Sequence, residues 1–126
     1  MAIPQHLLDA EYVNLATRRK NGDLVPTPIW AAPVGDKLYV FTAGNSGKVK
    51  RVKNFSQVEL AQCNASGKLL GGWTPASAYV VNDPLEVQNA ILALEAKYGW
   101  KMKMTDFGAR LTGRYAKRAY LRLEMP

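Results

Sequence analysis

This chain of 126 residues has one cysteine, one histidine and no apolar run approaching the roughly 20 residues that a membrane-spanning helix needs. Each scarcity closes a class of function. The lone Cys63 excludes an intrachain disulfide and any multi-cysteine metal site, and it fits a reducing compartment. Set in an apolar stretch, it is expected to be a buried, inert thiol. His6 stands near the start of the chain, so no Ser-His-Asp or Cys-His arrangement and no histidine-built metal site is expected. The ten carboxylates are outnumbered by seventeen cations and are scattered over turns and helix faces, which argues against a paired-carboxylate hydrolase. If the chain is an enzyme, its reactive atom is expected to belong to a cofactor. The opening residues lack a signal peptide's basic-then-apolar layout, so a cytoplasmic location and no membrane partner are expected.

What is present is a moderate apolar content, 48%, enough for one core, and the whole of 1–126 is read as a single domain. The most informative stretch is Phe41-Thr-Ala-Gly-Asn-Ser-Gly-Lys-Val-Lys-Arg-Val-Lys-Asn54. It ends a strand in small polar residues and opens a helix carrying four cations and no acid. Ser46 is the expected N-cap, and the first helical turn offers unpaired N–H groups to an anion. Gly44 and Gly47 are expected to let backbone amides approach a ligand closely, with Lys48, Lys50 and Arg51 adding full charges beside it. The spacing is not that of a Walker loop. The net charge of +7 is concentrated late in the chain, where Lys97 to Arg122 carry eight cations against Asp106 alone. That predicts a positive field attractive to polyanions. Nucleic acid is not favoured, because the aromatics do not alternate with cations on one sheet and no recognition motif is visible. A phosphorylated or polycarboxylate small ligand explains the charge equally well.

The remaining pattern predicts mostly short strands. Tyr12 to Thr17 alternates as a strand, Lys20-Asn21-Gly22-Asp23 supplies a hairpin turn, and Leu24 to Ala32 returns. Pro26 and Pro28 push that returning strand to a sheet edge, or beside something other than a neighbouring strand. Gly35-Asp36 turns the chain into a third strand, Lys37 to Thr42. Gln57 to Asn64, Gly71 to Val81 and Arg114 to Glu124 complete about six strands. Leu7 to Ala10 suits a single helical turn, and a short helix is expected up to Asn54. A longer helix is expected over Pro84–Tyr98, with Leu85, Ile91, Leu92, Leu94 and Tyr98 as its apolar stripe and Gly99 as its stop. Met102 to Gly113 is ambiguous between irregular and helical structure. The composite is mainly β with two or three helices, a small closed or half-closed barrel with helices packed outside.

The order of motifs carries a family resemblance. The Asn-Gly hairpin, the Pro-Thr-Pro-Ile-Trp strand, the Leu-Tyr-Val-Phe-Thr strand, the Ser-Gly-Lys-Val-Lys-Arg start of a helix, the Val-Glu-Leu-Ala strand and the late Lys-Tyr-Gly resemble the flavin-binding split barrels. These are relatives of pyridoxamine 5′-phosphate oxidase, and the chain looks most like their deazaflavin-dependent branch. The likeness covers roughly residues 10 to 124. It implies a split β-barrel that binds flavin mononucleotide (FMN) or the deazaflavin coenzyme F-420 and transfers hydride between that cofactor and a small substrate. A non-catalytic flavin- or haem-binding carrier is the alternative. By the same resemblance Pro26, Thr27, Pro28, Ile29 and Trp30 would line the ring, with Trp30 offering a stacking face. Thr42, Ser46 and Lys48 would hold the phosphate, and Lys50 and Arg51 would serve as outer partners. Gly47 stands where the oxidase usually has an arginine, which shifts the grip to Lys48 and backbone amides. The resemblance further implies a homodimer with the cofactor at its interface and Trp73 near the partner chain or ring edge. Tyr98 and Trp100 are expected to be core or dimer residues.

Overall fold

Residues 2–126 are described by the computed structural model. The chain forms a single antiparallel sheet of seven strands: β1 Tyr12–Arg18, β2 Leu24–Ile29, β3 Ala31–Val34, β4 Lys37–Ala43, β5 Gln57–Cys63, β6 Thr74–Val80 and β7 Arg118–Glu124. Four helices accompany it: α1 Gln5–Asp9, α2 Gly47–Asn54, α3 Pro84–Tyr98 and α4 Trp100–Leu111. The strand order is β2-β1-β5-β6-β7-β4-β3. Strands β2 and β3 are thus adjacent in sequence yet lie at opposite edges of the sheet. The sheet must curl to bring its edges to one another, and the segment Leu24–Val34 crosses the opening.

That crossing corrects the expectation of one continuous strand from Leu24 to Ala32. The chain breaks at Trp30, the first part pairing with β1 and the second with β4. Edge placement of the two prolines is as expected, and the register explains why they are tolerated. The Arg19 amide donates to the Asp23 carbonyl at 2.8 Å, which makes 19–23 a hydrogen-bonded pair. Alternation then makes Val25–Thr17 and Thr27–Leu15 hydrogen-bonded, and Pro26–Ala16 and Pro28–Asn14 not. Both prolines therefore occupy positions whose N–H would point to the free edge, so neither removes a ladder bond. Along this stretch the edge presents carbonyls without the matching donors, which also discourages pairing with another strand.

The inner face of the curled sheet packs Val13, Leu15, Leu38, Val40, Val58, Leu60, Leu121 and Leu123, closed off by Leu7 and Leu8 of α1 and Val52 of α2. The outer face of β3, β4 and β7 forms a second core with α3 and α4, where Ala32, Tyr39 and Tyr120 meet Ala90, Leu94, Tyr98 and Met102. Here the expected α3 stripe holds only in part. Leu94 and Tyr98 are buried, but Leu85 is 71% exposed and Leu92 53% exposed, because the helix turns Ala90 toward the sheet instead. The ambiguous segment resolves into α4, separated from α3 by Gly99 at φ +56°. The last strand starts at Arg118, later than expected, after a 3-10 turn at Tyr115–Lys117, and β6 starts at Thr74, leaving Gly71, Gly72 and Trp73 in the preceding loop.

Candidate functional site

Strand β4 delivers the chain to the start of α2, where Ser46 sits with extended backbone and its Oγ accepts from the Val49 N–H at 3.4 Å. The Thr42 hydroxyl donates to the Ser46 Oγ at 3.3 Å, tying the strand end to the helix start. Helical geometry leaves the Gly47 and Lys48 N–H groups without intrahelical acceptors. No acid lies in this first turn. The two glycines have a different reason from the one expected. A Cβ at Gly44 would collide with the backbone carbonyl of Lys117, and one at Gly47 would come within 2.6 Å of the Arg51 guanidinium. At Gly44 the obstacle is backbone, so no larger residue fits; at Gly47 it is the end of the Arg51 side chain.

The arginine that displaces a side chain at Gly47 is held from the other side by its Nε, which donates to the buried Thr17 hydroxyl at 2.7 Å. Lys48, one helical turn away at i, i+3, shares its flank of the helix. The Lys48 ammonium is held below the usual lysine range, first by burial and then by the positive charge of Arg51. None of the five ion pairs among the described residues includes Lys48, Lys50, Arg51 or Lys53. Two like charges thus share a helix N-terminus with two hydroxyls and no carboxylate. An anion placed there would relieve their repulsion and meet helix N–H groups at once. Lys50 points elsewhere: it is exposed, two positions round the helix from Lys48.

A second set of groups gathers beside this corner. Tyr12, Pro28, Ile29, Trp30, Phe41 and Thr105 line a cleft of about 310 Å³. Phe41 and Thr105 also line an adjoining cleft of about 230 Å³, together with Thr42, Ala43, Ala109, Arg114 and Arg118. The two clefts share Phe41 and Thr105 and lie between the sheet and α4; Thr42 borders the second, and its hydroxyl bonds Ser46 at the start of α2. Trp30 stacks one face on Tyr98, ring centroids 4.6 Å apart and planes 12° off parallel, and meets Phe41 edge-on. Tyr98 is locked in turn: its hydroxyl accepts from the Ala31 N–H at 2.9 Å and donates to the Glu11 carbonyl at 2.7 Å. Burial, the dominant cause, drives its hydroxyl well above the ordinary tyrosine range.

Of the eleven residues singled out from sequence, Pro28, Ile29, Trp30 and Thr42 line the groove, while Ser46, Lys48 and Arg51 make the basic corner beside it. Pro26 and Thr27 lie farther along β2, toward its hairpin with β1. Trp73 is 39% exposed in the β5–β6 loop, near Leu69 and Leu70 in sequence and away from the groove lining. Trp100, expected in a core or a dimer, is 67% exposed within the single chain. Cys63 is buried, and burial pushes its thiol up.

Asn14 was not singled out. It is 5% exposed, directly across the strand pair from Pro28, with its Nδ2 donating to the Gly67 carbonyl and its Oδ1 lacking any partner. A lone amide in the middle of Tyr-Val-Asn-Leu-Ala was the available signal, since a buried polar atom without a partner costs about 1–3 kcal/mol.

No family model matches the sequence, and no curated protein matches it. Solved structures do. An F420 reductase superposes with a TM-score of 0.60 at 17% identity, covering 97% of this chain and 94% of that one. A candidate pyridoxamine 5′-phosphate oxidase from Listeria innocua superposes with a TM-score of 0.60 at 10% identity, over 94% of this chain and 86% of its own. HutZ, the haem storage protein of Vibrio cholerae, superposes with a TM-score of 0.68 at 13% identity, over 97% and 86%. Identities this low speak for architecture, and that architecture agrees among all three: the seven-stranded curled sheet is a pyridoxamine 5′-phosphate oxidase-like split barrel.

Proposed function

We propose that the chain is an oxidoreductase that binds a deazaflavin of the F-420 type, or FMN, and transfers hydride between it and a small substrate. The observation that supports this most is the unpaired Lys48–Arg51 corner beside a groove of planar and apolar groups. Ser46, Lys48, Arg51 and the Gly47 and Lys48 amides would take the phosphate, and Pro28, Ile29 and Trp30 would lie along the ring. When bound, such a cofactor supplies the hydride chemistry at its ring. This chain's residues bind and orient it, and the walls of the groove keep water from one side. Arg114, in the same groove and without a carboxylate partner, is suited to the oligoglutamate tail of a deazaflavin.

A carrier role is the second reading, favoured by the absence of His, Asp and Glu from the groove lining. Tyr12 is the one residue in that lining of a type that ligates a haem iron, so the carried ligand would be of the flavin or the haem type. Exposed Trp73, Leu69 and Leu70 support a homodimer. Titration of purified protein with FMN and with F-420, followed by the change in ring absorbance, tests the reading. Micromolar or tighter binding is expected for at least one of them. Binding of neither overturns it, and tight binding without turnover of any reduced-cofactor reaction moves the protein to the carrier reading.

A further inference from the structure

Helix α4 is amphipathic in the reverse of the ordinary sense. Its buried residues are Met102, packed in the second core, and Ala109, which faces the cleft beside the sheet. Trp100, Met104, Phe107 and Leu111 are 65–73% exposed. Their spacing of i, i+4, i+7, i+11 places all four on one stripe, and at about 100° per residue that stripe is diametrically opposite Met102 and Ala109. Exposed Lys103 and Arg110 run along one flank of the stripe and Lys101 along the other. Asp106, the helix's single acid, is unavailable at the surface: it faces Arg118 at 2.7 Å and is largely buried. Large apolar side chains flanked by unpaired Lys103 and Arg110 on one side and by the Lys101–Glu11 pair on the other form a surface seeking an apolar and anionic neighbour.

A second copy of the chain does not meet that description. Two α4 helices crossing about a twofold axis, stripe on stripe, would bring Lys103 and Arg110 into a seam whose nearby carboxylate, Glu11, is already paired with Lys101. The four side chains offer on the order of 500 Å², short of the roughly 800 Å² per partner of a stable protein interface. A bilayer surface does meet it. Its interfacial zone accepts Trp, Phe, Leu and Met to shallow depth, its acidic headgroups complement flanking Lys and Arg, and no closed interface area is needed. We infer that α4 is a peripheral membrane-binding element that inserts Trp100, Met104, Phe107 and Leu111 into the interface of an anionic bilayer. No helix among the described residues is long and apolar enough to cross a membrane, so the attachment lies in the plane of the surface. The expectation of no membrane partner rested on the lack of a span and did not weigh this stripe.

Sedimentation of the full chain with phosphatidylcholine vesicles, with and without phosphatidylglycerol, tests the inference independently of any cofactor. Binding to the anionic vesicles is expected, with a blue shift in emission that is lost in Trp100→Phe. The double variant Phe107→Ser, Leu111→Ser should abolish binding while keeping its melting temperature, since both side chains face solvent. Lys103→Ala should weaken binding about fivefold, each cation near such a surface being worth about 1 kcal/mol. Absence of binding to anionic vesicles at low salt overturns the inference. So does binding that survives the double variant, which would be charge attraction alone, or a wild-type dimer that the double variant dissociates without any lipid association.

Discussion

Two basic regions of the molecule treat their charge in opposite ways. In the late region, from Lys97 to Arg122, the cations are mostly spent. Lys97 is half-buried with its Nζ donating to the carbonyls of Leu8, Ala10 and Ala31. Lys101 pairs with Glu11, Arg118 with Asp106, and Arg122 with Glu86 and Glu124. Arg118 is also sandwiched between the Phe41 and Tyr115 rings, and Arg110 rests on Tyr115. At the start of α2 the reverse holds: Lys48 and Arg51 sit together, partly buried, with no acid. Charge counted along a sequence therefore locates a field, whereas charge left without a partner locates a site. The late region's cations largely hold the fold together, whereas those of the α2 corner have no ion-pair partner among the described residues.

The sharpest test of that contrast is Asp106→Ala. Both side chains of its pair with Arg118 are buried, 13% and 6% exposed, so removing the carboxylate strands a buried charge and should cost about 3–5 kcal/mol of stability. Denaturant unfolding measures it. Affinity for phosphate-bearing cofactor, determined below the lowered melting temperature, should change little. A loss of affinity as large as the loss of stability would mean that Arg118, which borders the groove, is held for the ligand and not for the fold alone.

Lys48→Ala should show the converse. Losing a charge-assisted contact to phosphate is worth about 1.5–3 kcal/mol, or roughly 10- to 150-fold in dissociation constant. Stability without ligand should stay level or rise slightly, since the substitution removes a partly desolvated charge and its repulsion with Arg51. Arg51→Ala should weaken binding comparably, and the exposed Lys50 and Lys53 much less. Equal losses at all four positions would reduce the corner to a diffuse basic surface.

A pH titration separates the structural network further. The Tyr39 hydroxyl donates to Glu86 at 2.6 Å, and burial, then that bond and the Glu86 charge, raise it to about 12 from 10. A raised value means the folded state holds the proton more tightly than the unfolded one. The stability this contributes is complete below pH 10 and is lost as pH rises through about 12, to an extent of about 2–3 kcal/mol. The stability gap between the wild type and Tyr39→Phe should therefore shrink between pH 10 and 12 and stay constant between pH 7 and 9. A gap independent of pH throughout would remove Tyr39 from the network that neutralises the late region.

How far these features were legible depends on whether their causes are local. The Ser46 cap, the Asn21-Gly22 reversal and the edge position of Pro26 and Pro28 follow from backbone chemistry within a few residues, and they stand as read. The break at Trp30 could not be read, because what ends β2 is a change of partner from β1 to β4, a property of the closed sheet. Helix α4 was ambiguous because its strongest periodicity marks the wrong face, with Trp100, Met104, Phe107 and Leu111 outward. In the site, residue types were informative but allegiance was not. Arg51 was read as an outer contact, yet Thr17, 34 positions away, anchors it beside Gly47. The count of cations likewise does not separate Arg118, which pairs with Asp106, from Arg114, which has no carboxylate partner among the described residues.

The smallest expected effect bears on the choice between deazaflavin and FMN, and it asks what the few unspent late cations do. Lys103, Arg114 and Lys117 have no carboxylate partner among the described residues, and Arg114 alone of them lines the groove. An oligoglutamate tail leaving the groove would meet them through solvent, each contact being worth at most about 1 kcal/mol and weakened once the Debye length contracts to about 8 Å at physiological salt. Arg114→Ala should therefore lower affinity for a long-tailed F-420 up to about fivefold at low salt and leave FMN unaffected. The difference should fade as salt rises, while the Lys48→Ala effect, arising in a partly buried corner, should persist. Calorimetric titration with short- and long-tailed deazaflavins at two salt concentrations provides both readings. Affinity independent of tail length at low salt would leave these cations without a role at the groove and would favour FMN, whose phosphate needs only the α2 corner.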